Sequence, residues 1–245
     1  MNSTPWFVAP PEDWGEREVT LPEDESHHAL RVLRIHPPAA VTVADGRGIV
    51  ARCVAVRNEG SRLVAEILER EEHRRPRPEL VVYQGAAKGH KLDDVVERLA
   101  ELGVSELWAF EAERSVVRWD APKVAKLTER WRGISRSAAK LARNPFMLTA
   151  GAGLSFTELV RRVAAEPATV VLWEQASLPL RTALVGAAER LALVVGPEGG
   201  LTRAEAEALA DAGGQLVSLG PRILRTENAA VVAAAAVLYH YGVIG

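Results

Sequence analysis

At 245 residues, with 48% hydrophobic and 25% charged side chains, the chain can build one large core or two modest ones, and its composition is that of a globular protein. A formal net charge of −2 excludes nucleic-acid binding through overall basicity, so any such affinity must come from local patches. The single cysteine, Cys53, excludes an internal disulfide, and no apolar run approaches membrane-spanning length. With no signal-peptide apolar core at the N-terminus, the expected location is the cytoplasm, without contact to membrane.

Residues 1 to 72 carry short β-like runs at 6–8, 18–21, 41–44, 49–56 and 63–68. Asp45-Gly46-Arg47-Gly48 between the third and fourth reads as a hairpin turn. Cys53 lies in the run ARCVAV and reads as a small core residue rather than a nucleophile. One helical piece, PEDESHHALRVLRI, interrupts the strands, with Asp24 or Ser26 as expected cap and Ala29, Leu30 and Leu33 as its apolar face. A small barrel with one helix fits. The stretch HRRPRP, His73 to Pro78, suits neither strand nor helix and reads as a basic linker between domains.

From residue 76 strands and helices alternate. Strands are expected at 80–84, 106–110, 169–173, 191–195 and 215–219, and helices at 90–102, 122–142, 156–164 and 178–188. This α/β alternation predicts a parallel sheet covered on both faces. The strand Leu191–Val195 empties into Gly196-Pro197-Glu198-Gly199-Gly200. A helix follows, with Thr202 and Glu205 at capping-box spacing and Gly213-Gly214 as its stop. The next strand also ends in a glycine turn, Gly220-Pro221, and Arg222 to Asn228 leads into an Ala-rich terminal helix. Two strands thus deliver two glycine turns and a cluster of charge to one sheet edge, where open α/β sheets bind ligands.

Gly85-Ala86-Ala87-Lys88-Gly89-His90-Lys91 lacks P-loop spacing, and no strand is followed by G-x-G-x-x-G, so neither phosphate motif is present. The Gly196–Gly200 loop alone reads equally as a plain strand-to-helix turn or as a backbone cradle for a flat ligand. The second turn in register favours the cradle, in which a branched side chain at Gly199 would intrude. His27-His28 point different ways on a helix and lack a carboxylate set, so no metal site is expected.

The pairing LVVGPEGGLTRAEAEAL with LGPRILRTENAA resembles the SPOUT class of methyltransferases. More narrowly, it is similar to the ribosomal RNA small subunit methyltransferase E family. HHALRVLRI with VTVADGRG resembles that family's N-terminal PUA-like barrel, and KGHKLDDVVERLAELGVSELWAFEAERSVVRW the opening of its catalytic domain. The resemblance implies a PUA-like β-barrel RNA-binding domain over 1–72 and a SPOUT domain over 76–245 with a C-terminal trefoil knot. It implies S-adenosylmethionine as cofactor, a homodimer, and methylation of uridine N3 in 16S rRNA of the small ribosomal subunit, without metal. The implied cofactor bed is Leu172, Glu174, Gly196, Pro197, Glu198, Gly199, Gly200, Leu219, Gly220, Ile223 and Leu224, largely through backbone groups.

N3 of uracil must lose a proton, and charge then spreads to O2 and O4. Arg225, just past the cofactor turn, is expected to stabilise that charge, and Glu227 is the nearest candidate base or else orients the last helix. A brace between Arg225 and Glu227 or Glu198 is the plainer alternative for the arginine. RNA contacts are expected at Arg31, Arg34, Arg114 and Arg143, although singly each also reads as solvated surface. One departure stands out: Lys140-Leu141 occupies the place of the family's usual Glu-Gln pair, and Asn228 that of a small hydroxyl residue. This leaves open another rRNA or tRNA position as the target, or an RNA-binding assembly protein without catalysis.

Overall fold

The computed structural model describes residues 4–186 and 188–245. The chain divides into two compact units, Met1–Arg75 with Arg136–Met147, and Pro76–Ser135 with Leu148–Gly245.

The first unit holds strands β1 (Trp6–Val8), β2 (Glu18–Thr20), β3 (Ala39–Ala44), β4 (Ile49–Glu59) and β5 (Arg62–Glu72) in the order β1-β3-β4-β5-β2. β1 runs parallel to β3, and the other pairings are antiparallel. Alternation does the sorting: Ala51, Cys53 and Ala55 of β4 face a core with Phe7, Val19, Val43 and Leu63. Burial pushes the Cys53 thiol up to about 12, so it stays a protonated core group. Asp45 builds the β3–β4 turn, its Oδ1 accepting from the backbone N–H groups of Arg47, Gly48 and Ile49 at 2.7–2.9 Å.

Helix α1 (Glu23–His27) continues as a wider turn over His28–Val32. Neither Asp24 nor Ser26 caps it; Pro22 does, without a side-chain bond. Ser26 is buried, and its hydroxyl donates to Leu21 O (3.0 Å) and accepts from Leu63 N (2.9 Å), tying the helix to the sheet. Lys140, the departing residue, belongs to this unit and holds the buried Glu25 at 2.8 Å.

The second unit is one parallel sheet: β6 (Glu79–Gly85), β7 (Glu106–Glu111), β8 (Thr149–Ser155), β9 (Thr169–Leu172), β10 (Arg190–Val195) and β11 (Gly214–Val217), ordered β11-β9-β10-β6-β7-β8. Its central strands are continuous apolar runs because both faces are covered. The helices are α2 (Lys91–Glu101), α3 (Ala121–Ala142, which crosses the division between units), α4 (Phe156–Ala165), α5 (Leu180–Ala183), α6 (Arg203–Asp211) and α7 (Thr226–His240). The chain lays β6, β7 and β8 outward in one direction, then returns to build β9, β10 and β11 on the other side of β6. That reversal is where such sheets open a crevice at their carboxyl ends.

Two elements depart from expectation. β8, TAGAGLS, is a strand where none was expected, and it pairs with β7 along most of its length. The helix expected over 178–188 is confined to Leu180–Ala183, because Leu184 leaves helical geometry (φ −91°, ψ 86°); Ala187 of that expected helix lies outside the described residues.

Candidate functional site

Four strand ends are level. Val195 of β10 pairs with Leu172 of β9 and Gln84 of β6, and Leu172 pairs with Val217 of β11. The chain leaving β9, β10 and β11 therefore emerges at one height and encloses a cavity of about 620 Å3. Leu172, Glu174, Gly196, Pro197, Glu198, Gly199, Gly200, Leu219, Gly220, Ile223 and Leu224 all line it, as do Arg225 and Glu227. Lys91, Trp173, Arg222 and Thr226 line it as well, and sequence reasoning had missed them.

Local chemistry shapes each wall. Gly200 sits at φ +70° and its N–H donates to Pro197 O (2.9 Å), closing the loop into a tight turn. Thr202 and Glu205 form the expected capping box and start α6 directly behind it. A side chain at Gly199 would not enter the cradle: its Cβ would lie 2.9 Å from Arg114 Cβ and 3.1 Å from Arg114 O. Gly199 is thus required by close packing against the chain at Arg114, whose guanidinium donates to Gly199 O (3.3 Å). Gly220, at φ +108°, turns the chain after β11, and Ser218 Oγ accepts its N–H at 3.1 Å. Ile223 lines the cavity while 96% exposed.

The charges are ordered around Lys91. Its Nζ lies 3.0 Å from Glu198 Oε1 and 3.9 Å from Glu227 Oε2, and Lys88 N–H also donates to Glu198 (3.2 Å). Burial pushes the Glu198 carboxyl up, but the Lys91 ammonium and the Lys88 N–H outweigh it and hold the group below its ordinary value. Glu227 stands in the first turn of α7, where the helix dipole favours an anion. Its Oε2 and the Trp173 Nε1 are buried without a hydrogen-bond partner among the described residues, since 3.9 Å is too long for one.

Arg225 is the N-cap residue of α7 but forms no side-chain cap, and it makes no ion pair among the described residues. The brace to Glu198 or Glu227 is absent, because both carboxylates face Lys91. Of the arginines expected to meet RNA, Arg114 lies beside the glycine loop. Arg31, Arg34 and Arg143 belong to the first unit, and none lines the cavity. All four are exposed, and Arg34 and Arg143 hold left-handed backbone angles of φ 54° and 52°. Among the described residues no group of three or more His, Cys, Asp or Glu stands together as a metal site, and no helix is long and apolar enough to cross a membrane.

Backbone amides, one ammonium, two carboxylates and a free guanidinium around a half-open cavity suit a flat, polar ligand beside a second, charged reactant. Known proteins are similar to this chain in sequence and in fold. The model of an RNA methyltransferase domain matches residues 73–238. The ribosomal RNA small subunit methyltransferase E of Mycobacterium bovis is 39% identical over 218 residues, covering 87% of this chain and 83% of that protein. Its namesake in Bacillus subtilis is 32% identical over 224 residues, covering 88% of each. Among solved structures, the ribosomal RNA small subunit methyltransferase E of Neisseria gonorrhoeae, bound to S-adenosyl methionine, matches with a TM-score of 0.84 at 27% identity over 97% of this chain and 98% of that one. A methyltransferase of Legionella pneumophila in complex with its cofactor SAM matches at 0.86 with 26% identity, covering 97% and 98%. On its sequence, its sheet and its glycine-walled cavity, the chain belongs to the ribosomal RNA small subunit methyltransferase E family of RNA methyltransferases.

Proposed function

We propose that this chain transfers a methyl group from S-adenosylmethionine to N3 of a uridine in 16S rRNA of the small ribosomal subunit. The observation that carries the reading is the convergence of both glycine turns, Arg225 and Glu227 on one cavity at level strand ends. The residues suit the cofactor. Glycine turns present main-chain groups, and the Trp173 indole N–H and Glu227 Oε2 are a buried donor and acceptor without partners. When bound, the cofactor supplies an electrophilic methyl group on a positively charged sulfur.

The protein's own part is to bind, orient and handle one proton. In this reading the backbone of Gly196–Gly200 and of Leu219, Gly220, Ile223 and Leu224 holds the cofactor, with Leu172 and Glu174 at its side. Arg225 donates hydrogen bonds to a uracil oxygen as N3 gives up its proton, and Glu227 receives that proton or orients the helix that carries it. The first unit supplies RNA affinity as a PUA-like barrel through Arg31, Arg34 and Arg143, with Arg114 beside the glycine loop. α7 threads a preceding loop as a trefoil knot. Its outer stripe, with Val232 48% and Tyr239 71% exposed, meets a second copy in a cytoplasmic homodimer. The Lys140 departure does not favour another target, because its ammonium is committed to Glu25.

Calorimetric titration with S-adenosylmethionine, followed by mapping of labelled methyl groups on small-subunit RNA, tests the reading. Saturable binding and methylation at a single uridine N3 are expected. Absence of binding overturns the cofactor assignment, and a methyl group elsewhere overturns the target.

A further inference from the structure

We propose that Gln84 is a positioning residue for methyl transfer, acting through the hydroxyl of Thr226; this rests on reading the cavity as the transfer site. β6 is apolar and buried from Leu80 to Tyr83, and Gln84 closes the run with no exposure at all. An amide there is costly unless both its ends are satisfied, and only one is. Its Nε2 donates to Thr226 Oγ1 at 2.8 Å and to Gly85 O at 3.3 Å, while its Oε1 has no partner. A leucine or methionine would fill the strand end without that orphan. Stability therefore does not explain the residue.

The chemistry of the three groups fixes a direction. The Thr226 hydroxyl has one proton, and at 2.6 Å from Gly196 O that proton is committed to the carbonyl. Toward Gln84 the hydroxyl can then only accept, so the amide nitrogen and not its oxygen must face it. This single orientation leaves Oε1 unpaired, as observed. Gly196 is the first residue of the glycine loop and Thr226 the first residue of α7, between Arg225 and Glu227. One buried amide thus aligns the loop expected to hold the cofactor with the two side chains expected to act on the base. Small misplacements of such groups cost rate steeply while leaving binding nearly intact.

Four variants test this, each measured for melting temperature, cofactor affinity and single-turnover rate at saturating cofactor. Gln84→Met removes the donor together with the orphan oxygen, leaving Thr226 able to bond Gly196 but free to rotate. Its melting temperature is expected to stay within about 2 °C of wild type and its affinity to stay unchanged, while the rate falls about tenfold or more. Thr226→Val keeps the shape, loses both bonds and should lose at least as much rate; Thr226→Ser restores the hydroxyl and should recover most of it. Combining Gln84→Met with Thr226→Val should cost little beyond Thr226→Val alone, because both act through one hydroxyl. A normal rate in folded Gln84→Met or folded Thr226→Val overturns the proposal, as does a fall of melting temperature and affinity in step with the rate. Failure of the wild-type protein to bind S-adenosylmethionine would instead strike the reading of the cavity itself.

Discussion

Arg225→Ala separates catalysis from architecture sharply. The side chain is exposed, pairs with no carboxylate and does not cap α7, so no structural bond is lost with it. A cation at a helix N-terminus opposes the dipole by about 0.3–1 kcal/mol, and its removal relieves that. The net stability change should stay within about 0.5 kcal/mol, or about 2 °C in melting temperature for a chain of this size. The transition-state effect is of another order. Losing one donor to a developing oxyanion costs about a hundredfold, equivalent to about 2.7 kcal/mol. Arg225→Lys should recover little, because a point charge lacks the planar fork. Single-turnover methylation of small-subunit RNA at saturating cofactor, with cofactor affinity and melting temperature on the same samples, reads all three quantities. A normal rate would end the assignment, and joint loss of melting temperature and affinity would make Arg225 a brace after all.

Lys91→Met removes the ion pair that holds the Glu198 carboxyl below its ordinary value of 4.5, so the stability it contributes is present above that value and lost as pH falls through the lower folded value. Urea unfolding should show the variant's deficit in full at neutral pH and a shrinking deficit in acid; a pH-independent deficit would contradict this. Gly85→Ala should destabilise by about 1–3 kcal/mol and weaken cofactor binding, because its Cβ would lie 2.2 Å from Pro197 N. Unchanged calorimetric affinity would detach β6 from the loop. Arg31→Glu with Arg34→Glu should weaken RNA binding and flatten its salt dependence by about 0.7–0.9 for each phosphate no longer neutralised, with cofactor affinity intact. Tyr239→Glu should yield a monomer by light scattering, and a wild-type protein that is itself monomeric would refute the α7 interface.

Much of the site was legible because its signals are local. Thr202 and Glu205 stand three residues apart, and glycine with proline at a strand end marks a turn whatever the tertiary context. β8 was not legible, since TAGAGLS has one β-branched residue, Thr149, among small ones and becomes a strand through pairing with β7. Lys91 was missed for a related reason. A lysine opening a helix carries no signal in itself, and its carboxylate partner Glu198 stands 107 residues later. Gln84 stood only as the last residue of the strand expected over 80–84, and the approach of Thr226, 142 residues on, sets it apart. Ser26 shows the opposite failure. Its local signal suggested a cap, but a buried hydroxyl between Leu21 and Leu63 offered stronger bonds.

The split make-up of the first unit has a consequence for how the protein is born. Its strands leave the ribosome before the second unit does, yet Glu25 is only 4% exposed and its counter-ion, Lys140, follows 115 residues later. Until then a carboxylate destined for the interior has no cation to meet it, and an unpaired charge there is costly. Met147 N–H likewise closes onto Gly46 O, and Phe146 bridges Arg47, only after most of the parallel sheet's first half has been synthesised. The usual vectorial order, in which the leading domain is complete before the next begins, is therefore interrupted. The strands of the first unit must wait, incompletely closed, for a stretch that follows them in the chain by more than sixty residues.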